Sequence, residues 1–314
     1  MSHLVLLRAA SVGLILACLF AGGLFINVLI WPEWELTGAE QDNLLNLQQP
    51  PGRDFRGGGF GGGGGRGASR SSRSDYPSWE LPDGFKEDCF TFVRIQYDSY
   101  GGRGGAFGGW SNDYPDCDWN FSFRLQQLTS YKVDPNGRTL RLDDPQLFDY
   151  PFVFMTNMGS MSLSQAERDG LRSYLLRGGF LMGDDFWAAA EWDHVQRTMR
   201  EVFPDREPRE LSQDHEIFHL VYDIRTLPQV PSIRAWQRGL KYEDWHGPFE
   251  NNDTAPHFWG YFDDGGRLMA LFCHNNDVAD GWEREGENIE YFEMYSQRVS
   301  YPLGVNIITY AMTH

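Results

Sequence analysis

Cysteine is scarce: the 314 residues hold four, Cys18, Cys89, Cys117 and Cys273. No two of them form a CxxC pair, which argues against a structural zinc site. Cys18 falls in an apolar segment. One disulfide could join two of the other three in an oxidising compartment, and spacing does not choose the pair. Basic charge is also short, with 27 Lys and Arg against 44 Asp and Glu and a net charge of -17. A surface this acidic repels phosphate backbones, so no nucleic-acid partner is expected for the folded part. Aromatic residues, by contrast, make up 15% of the chain. That apolar load needs a packed interior and excludes global disorder.

Charge is absent from Ser11 to Trp31, SVGLILACLFAGGLFINVLIW, where Asn27 is the single amide. At about 1.5 Å per residue this run spans roughly 31 Å as a helix, the thickness of a bilayer core. Arg8 precedes it, and Glu33, Glu35, Glu40 and Asp42 follow. The positive side stays in the cytoplasm, so the expectation is a single-pass cell-membrane protein with its C-terminal part extracytoplasmic. Two other readings stay open. Ala21-Gly22-Gly23 would be the cleavage site of a removed signal peptide, and Ile15-Leu16-Ala17-Cys18 resembles a lipoprotein processing box. A Gly/Ser-rich stretch follows, with Arg53, Arg56, Arg66, Arg70 and Arg73 interspersed. It reads as a disordered tether able to touch anionic headgroups, because few side chains repay its ordering entropy. Its likeness to RGG segments of RNA-binding proteins is the alternative. The chain thus divides into a cytoplasmic N-terminus (1–9), a transmembrane helix (10–31), a flexible Gly/Arg/Ser linker (32–84) and a folded domain (85–314).

Within that domain, Cys89–Tyr97 reads as a strand from its β-branched and aromatic content. Phe121–Leu128 starts a helix, and Leu147–Asn157 is a buried strand. Ser164 and Glu167 form a capping box for a helix that stops at Gly178-Gly179. Phe180–Gly183 is a short strand, Arg267–Cys273 another, and a last helix runs from Ile289 to Thr313. Strand, helix and strand within about 30 residues make a βαβ unit. The fold class is therefore α/β, a flavodoxin-like three-layer sandwich, with ligands expected beyond the carboxyl ends of the strands. Three segments end there: Asn157-Met158-Gly159-Ser160, Gly183-Asp184-Asp185, and His274-Asn275-Asn276-Asp277.

The ordered run YPFVFMTNMG, LSQAERDGLRSYLLRGGFLMGDDFW, LSQDHEIFHLVYDI, GRLMALFCHNNDVADGWE and LGVNIITYAMTH resembles the bacterial domain-of-unknown-function family numbered four-one-five-nine. The resemblance covers residues 85–314. It implies a class I glutamine-amidotransferase-like fold, and an envelope complex with MoxR-type ATPases and von Willebrand factor A proteins. Catalytic relatives carry a nucleophilic cysteine on a tight turn after a strand. The corresponding turn here looks like Leu181-Met182-Gly183-Asp184-Asp185, so glutaminase activity is not expected. His215–His219 and Gly266-Arg267 with His274 also resemble trehalose-utilisation-like domains.

Asp184 and Asp185 are candidate metal-ligating or general-base carboxylates, or else helix caps. His274 would be the acid or ligand. Asn157, Gly159, Asn275, Asn276 and Asp277 would line the pocket, or the Asn-Asn-Asp run would simply build a turn. His215-Glu216-Ile217-Phe218-His219 meets the H-E-x-x-H pattern of zinc proteases, but its surroundings read as a loop entering a strand. The dispersed tryptophans, Trp110 and Trp187 among them, would pack the core or line a carbohydrate-like pocket. The leading functional expectation is a non-catalytic binding or assembly domain with envelope-protein partners and no cofactor. The alternative is a metal-assisted hydrolase using Asp184 or Asp185 with His274.

Overall fold

The computed structural model describes residues 73, 76–81, 84, 89–100, 109–244 and 253–314. The expected membrane span, 10–31, and most of the linker lie outside the described residues. Among the described residues, no helix is long and apolar enough to cross a membrane. The described end of the linker is docked on the domain. Arg73 donates to the carbonyl of Pro135 at 3.0 Å, and Trp79 Nε1 donates to that of Val133 at 2.8 Å.

Mostly apolar segments become strands buried on both sides, with a few charged residues among them. These are β1 (Val93–Ile95), β4 (Phe152–Thr156), β6 (Phe180–Phe186) and β9 (Leu268–His274), fully buried along their lengths. Short strands complete the set: β2 (Asp98–Ser99), β3 (Arg138–Leu140), β5 (Met161–Ser162), β7 (Arg209–Glu210) and β8 (His257–Phe262). Seven form one sheet in the order β3-β1-β4-β6-β9-β8-β7, while β2 and β5 pair separately. The strands from β3 to β9 run parallel, and β8 and β7 are added antiparallel. The result is an α/β domain with a seven-stranded, mostly parallel sheet.

Three helices supply the main layers: α1 (Asp116–Leu128), α2 (Gln165–Leu176) and α3 (Ala188–Val202). Shorter helices are α4 (Ile233–Gln237), α5 (Asp280–Glu283) and α6 (Ile289–Tyr291). A π-helical stretch, Phe292–Ser300, joins α6 to α7 (Tyr301–Thr313). Side chains alternate across the sheet as the pleat requires. Phe152, Phe154, Phe180 and Met182 join α1 and α7 in one core, with Phe121, Leu125, Leu303 and Ile307. Val153, Met155 and Leu181 face the other way, onto Leu171 and Leu175 of α2 and Val195 and Met199 of α3.

The capping box forms as expected. Ser164 Oγ accepts from Glu167 N at 3.3 Å, and Glu167 Oε2 accepts from Ser164 N at 2.9 Å. Gly178 follows the helix at φ +106°, the left-handed position that ends it. Other boundaries moved. The strand expected over Leu147–Asn157 is regular only from Phe152, because Asp144 caps a 3-10 turn at Pro145–Asp149 by accepting from Gln146 N at 2.8 Å. The first helix begins at Asp116 rather than Phe121, with Asp116 and Asp118 in its favourable first turn. The strand expected over Phe180–Gly183 continues to Phe186 through an irregular register. Cys117 and Cys273 are buried free thiols, so no disulfide joins them.

One glycine sets how closely α2 approaches its neighbour. A Cβ at Gly170 would stand 2.0 Å from the backbone oxygen of Leu142. Gly→Ala in an exposed helix normally gains about 1 kcal/mol. Here the helix would have to withdraw from a backbone atom, so Gly170→Ala is expected to lose about 1–3 kcal/mol, the usual overpacking cost. Equilibrium urea unfolding reads the sign, and a stabilised variant would contradict this packing.

Candidate functional site

The chain reverses its direction of travel across the sheet next to β1. From β1 it crosses by α1 outward to β3, then returns to place β4 on the other side of β1. Parallel sheets open a crevice at the carboxyl ends of the two strands flanking such a reversal. The loop before α1 and the ends of β6 and β9 supply the polar groups found there.

Arg94 of β1 is fully buried. Its guanidinium meets Asp118 of α1, with Nε 2.9 Å from Oδ1 and 3.1 Å from Oδ2. Its Nη1 donates to the carbonyls of Trp110 at 3.1 Å and Asn112 at 2.9 Å. Burial alone would lower the Arg94 pKa, but the Asp118 carboxylate holds it raised. The ion pair therefore anchors the loop that carries Asn112 and Asp113, with Asp113 at φ +60°.

Asp185 sits at φ +53°, where the register between β6 and β9 slips. That left-handed residue turns its carboxylate into the crevice end of the sheet. Oδ1 accepts from Trp187 Nε1 at 2.9 Å. Oδ2 accepts from Asn112 Nδ2 at 2.9 Å and from Asn157 Nδ2 at 3.4 Å. Oxygens of Asp113, Asp185 and Asp277 lie within 4.8 Å of one another, and all three residues are buried. Asp113 also belongs to a second group of the same compactness, with Asp280 and Glu283 of α5. This second group has its own cation: Arg284 Nε lies 3.2 Å from Asp280 and 2.7 Å from Glu283.

Burial raises the pKa of Asp113, Asp185, Asp277 and Glu283, and neighbouring carboxylates add to the effect. Asp113 is pushed up to about 7, with Asp280 the next cause. Asp185 is held well above the usual carboxylate range, with Asp113 next. Asp277 is likewise well above it, with Asp185 next. Glu283 is pushed up to about 10, with Asp113 next. The site gathers like charge in a poorly solvated place, which favours bound protons or a bound cation.

The residues singled out by sequence separate into those that meet here and those that do not. Asp185 and Asp277 meet, and Asn157, at φ +54°, reaches Asp185. Asp184 accepts from Ala279 N at 2.8 Å, and its pKa is pushed up to about 8, chiefly by burial. It lies in neither compact carboxylate group. His274 does not join the carboxylates either. Its Nε2 lies 3.1 Å from the carbonyl oxygen of Ala188, and its ring stacks on Phe186, Trp192 and His257. Burial lowers its pKa to about 4, so the ring is neutral at physiological pH.

Asn275 and Asn276 spend their amides on backbone. Asn275 accepts from Ala188 N at 3.0 Å and donates to Ala255 O at 2.8 Å. Asn276 accepts from Val230 N at 2.8 Å and donates to Pro228 O at 3.1 Å. Gly159 gives room to Glu191: a Cβ there would stand 2.3 Å from that carboxyl carbon.

His215 and His219 flank a three-residue 3-10 turn, Glu216–Phe218, not a long helix. His215 Nδ1 accepts from Ile217 N, while His219 Nδ1 meets Asp223 at 2.6 Å. Neither histidine is in a compact group of potential metal ligands among the described residues.

Sequence reasoning did not reach Asn112, Asp113, Asp280 or Glu283. The only local signal was the density of acids in Asp277-Val278-Ala279-Asp280-Gly281-Trp282-Glu283, since Asp113 is more than half the chain away from them. A family model described as a domain of unknown function (DUF4159) matches residues 91–312. No curated protein matches the chain.

Proposed function

The chain belongs to the DUF4159 family, and on that premise we propose that it is a membrane-anchored, extracytoplasmic binding or assembly protein that works without thiol chemistry. Its domain would be a flavodoxin-like three-layer sandwich of the class I glutamine-amidotransferase-like kind. Partners would be other envelope proteins, with MoxR-type ATPases and von Willebrand factor A proteins the first to test. The observation that carries the reading is Asp185. The carboxyl end of β6, in the segment where the resemblance would put an amidotransferase cysteine, holds a buried carboxylate restrained by Trp187, Asn112 and Asn157. The buried thiols Cys117 and Cys273 have raised pKa values, chiefly from burial, so neither offers a ready thiolate. The uncharged run Ser11–Trp31 supports the anchor, and the charge asymmetry around it supports the orientation.

The hydrolase alternative, with Asp184 or Asp185 as base and His274 as acid or ligand, has less support. The imidazole sits in an aromatic stack bonded to a backbone carbonyl, away from the carboxylate groups.

Membrane fractionation of cells expressing the full chain with a C-terminal tag tests the anchor. The tag is expected in alkali-resistant membranes and to be lost when protease is added outside the cytoplasmic membrane. Recovery of the intact chain, N-terminus included, in the soluble fraction would overturn the anchor. Glutamine hydrolysis by the purified chain, abolished by a cysteine substitution, would overturn the non-thiol reading.

A further inference from the structure

The carboxylates around Asp113 are unevenly compensated. Asp280 and Glu283 have Arg284 beside them, and Asp280 also accepts from Ile233 N at 2.6 Å and from the Tyr291 hydroxyl at 3.1 Å. Asp185 and Asp277 have hydrogen-bond donors but no ion-pair partner among the described residues. Asp185 accepts from three side-chain N–H groups, and Asp277 Oδ1 accepts from Asp280 N at 3.0 Å. On Asp185 the donors reach both oxygens and leave little room for a carboxylic proton, which matches its ionised form. Asp113 stands between the two groups and is only 8% exposed. Its Oδ2 has no hydrogen-bond partner among the described residues. Buried polar atoms are nearly always satisfied, so an orphaned oxygen on the carboxylate that both groups share points to a missing ligand.

We propose that Asp113, Asp185 and Asp277 bind one oxygen-preferring divalent cation, with Ca2+ the best fit. The donor set contains no thiolate or imidazole, which selects hard cations over zinc or copper. Ca2+ takes oxygen ligands at about 2.3–2.6 Å in flexible geometry, whereas Mg2+ demands a near-ideal octahedron and keeps most of its water. A triad whose oxygens lie within 4.8 Å of one another fits inside the reach of one Ca2+. Arg94 takes part indirectly, as a positioning residue: it fixes the carbonyls of Trp110 and Asn112, and so the loop that delivers Asp113. The proposal deepens the binding reading above and rests on the crevice being a binding site. It does not depend on the membrane anchor, so fractionation and cation binding fail separately.

The test is calorimetric titration of the full chain in detergent, stripped with a chelator, using CaCl2, MgCl2 and MnCl2. One Ca2+ per chain is expected, together with a rise in thermal unfolding temperature. Asp113→Asn and Asp277→Asn should each weaken Ca2+ binding at least tenfold. Neither should melt below the chelated parent, because each replaces a carboxyl whose ionised form is disfavoured by burial and like-charged neighbours. Asp264→Asn, at an exposed carboxylate paired with Arg206 and in neither carboxylate group, should bind Ca2+ within about threefold of the parent. Tb3+ provides a readout that needs no acidic variant. Its emission should be sensitised through Trp187, displaced by Ca2+, and reduced by Trp187→Phe. Absence of binding heat and of any melting shift with all three cations would overturn the proposal. So would Ca2+ binding that survives both Asp113→Asn and Asp277→Asn unchanged.

Discussion

Replacing Arg94 with methionine is expected to lower the unfolding free energy by about 3–5 kcal/mol, the cost of stranding a buried charge. Asp118, only 3% exposed, would keep its carboxylate in the interior with its main partner gone. The carbonyls of Trp110 and Asn112 would lose their donor at the same time. The Arg94 guanidinium also lies 5.0 Å from the Phe154 ring centroid, a contact that methionine replaces only in volume. Pairing the change with Asp118→Leu discriminates the causes. A buried ion pair exchanged for apolar residues of similar size is often close to neutral. The double variant should therefore recover most of the loss, retaining about 1 kcal/mol for each stranded carbonyl. Urea unfolding of the single and double variants reads this directly. A single-variant loss below about 1 kcal/mol would mean that the pair is solvated and does not anchor the loop.

The second large effect belongs to Trp282 of α5, which is 1% exposed. Its indole lies 4.3 Å from the Phe121 ring, centroid to centroid, and 6.0 Å from that of Phe154. Gly304 lets α7 come close: a Cβ there would stand 2.4 Å from Phe121 and 2.8 Å from Trp282. Trp282→Ala empties the centre of this core and should cost about 3–5 kcal/mol. Trp282→Phe should cost only about 1 kcal/mol. It keeps an aromatic ring and removes an indole N–H that is buried with no hydrogen-bond partner among the described residues. Equal losses in the two variants, measured by thermal or urea unfolding, would show that ring volume is not what holds this core together.

These two residues mark different depths of legibility in the sequence. The helix after Ser164 could be bounded from its own letters, because capping and the left-handed glycine are interactions among residues a few positions apart. The buried strands were visible as apolar runs for a similar reason. Their exact ends were less so: Leu147 and Phe148 read as the start of a strand, yet lie in a 3-10 turn capped by Asp144. The H-E-x-x-H string shows the converse. A short pattern matched the letters of a zinc site, while the backbone made a 3-10 turn that gave each histidine separate partners.

By itself the sequence determined the α/β class, the central strands, the capped helix and the arrival of Asp185 and Asp277 at strand ends, because each follows from neighbours along the chain. Only the tertiary structure decided that Asp113 joins them and that His274 turns away into an aromatic stack. Those outcomes depend on the slipped register between β6 and β9, on the left-handed backbone at Asp113 and Asp185, and on a loop held by a buried arginine. Side-chain direction there is set by pairings between distant segments, and no local pattern of residues encodes it.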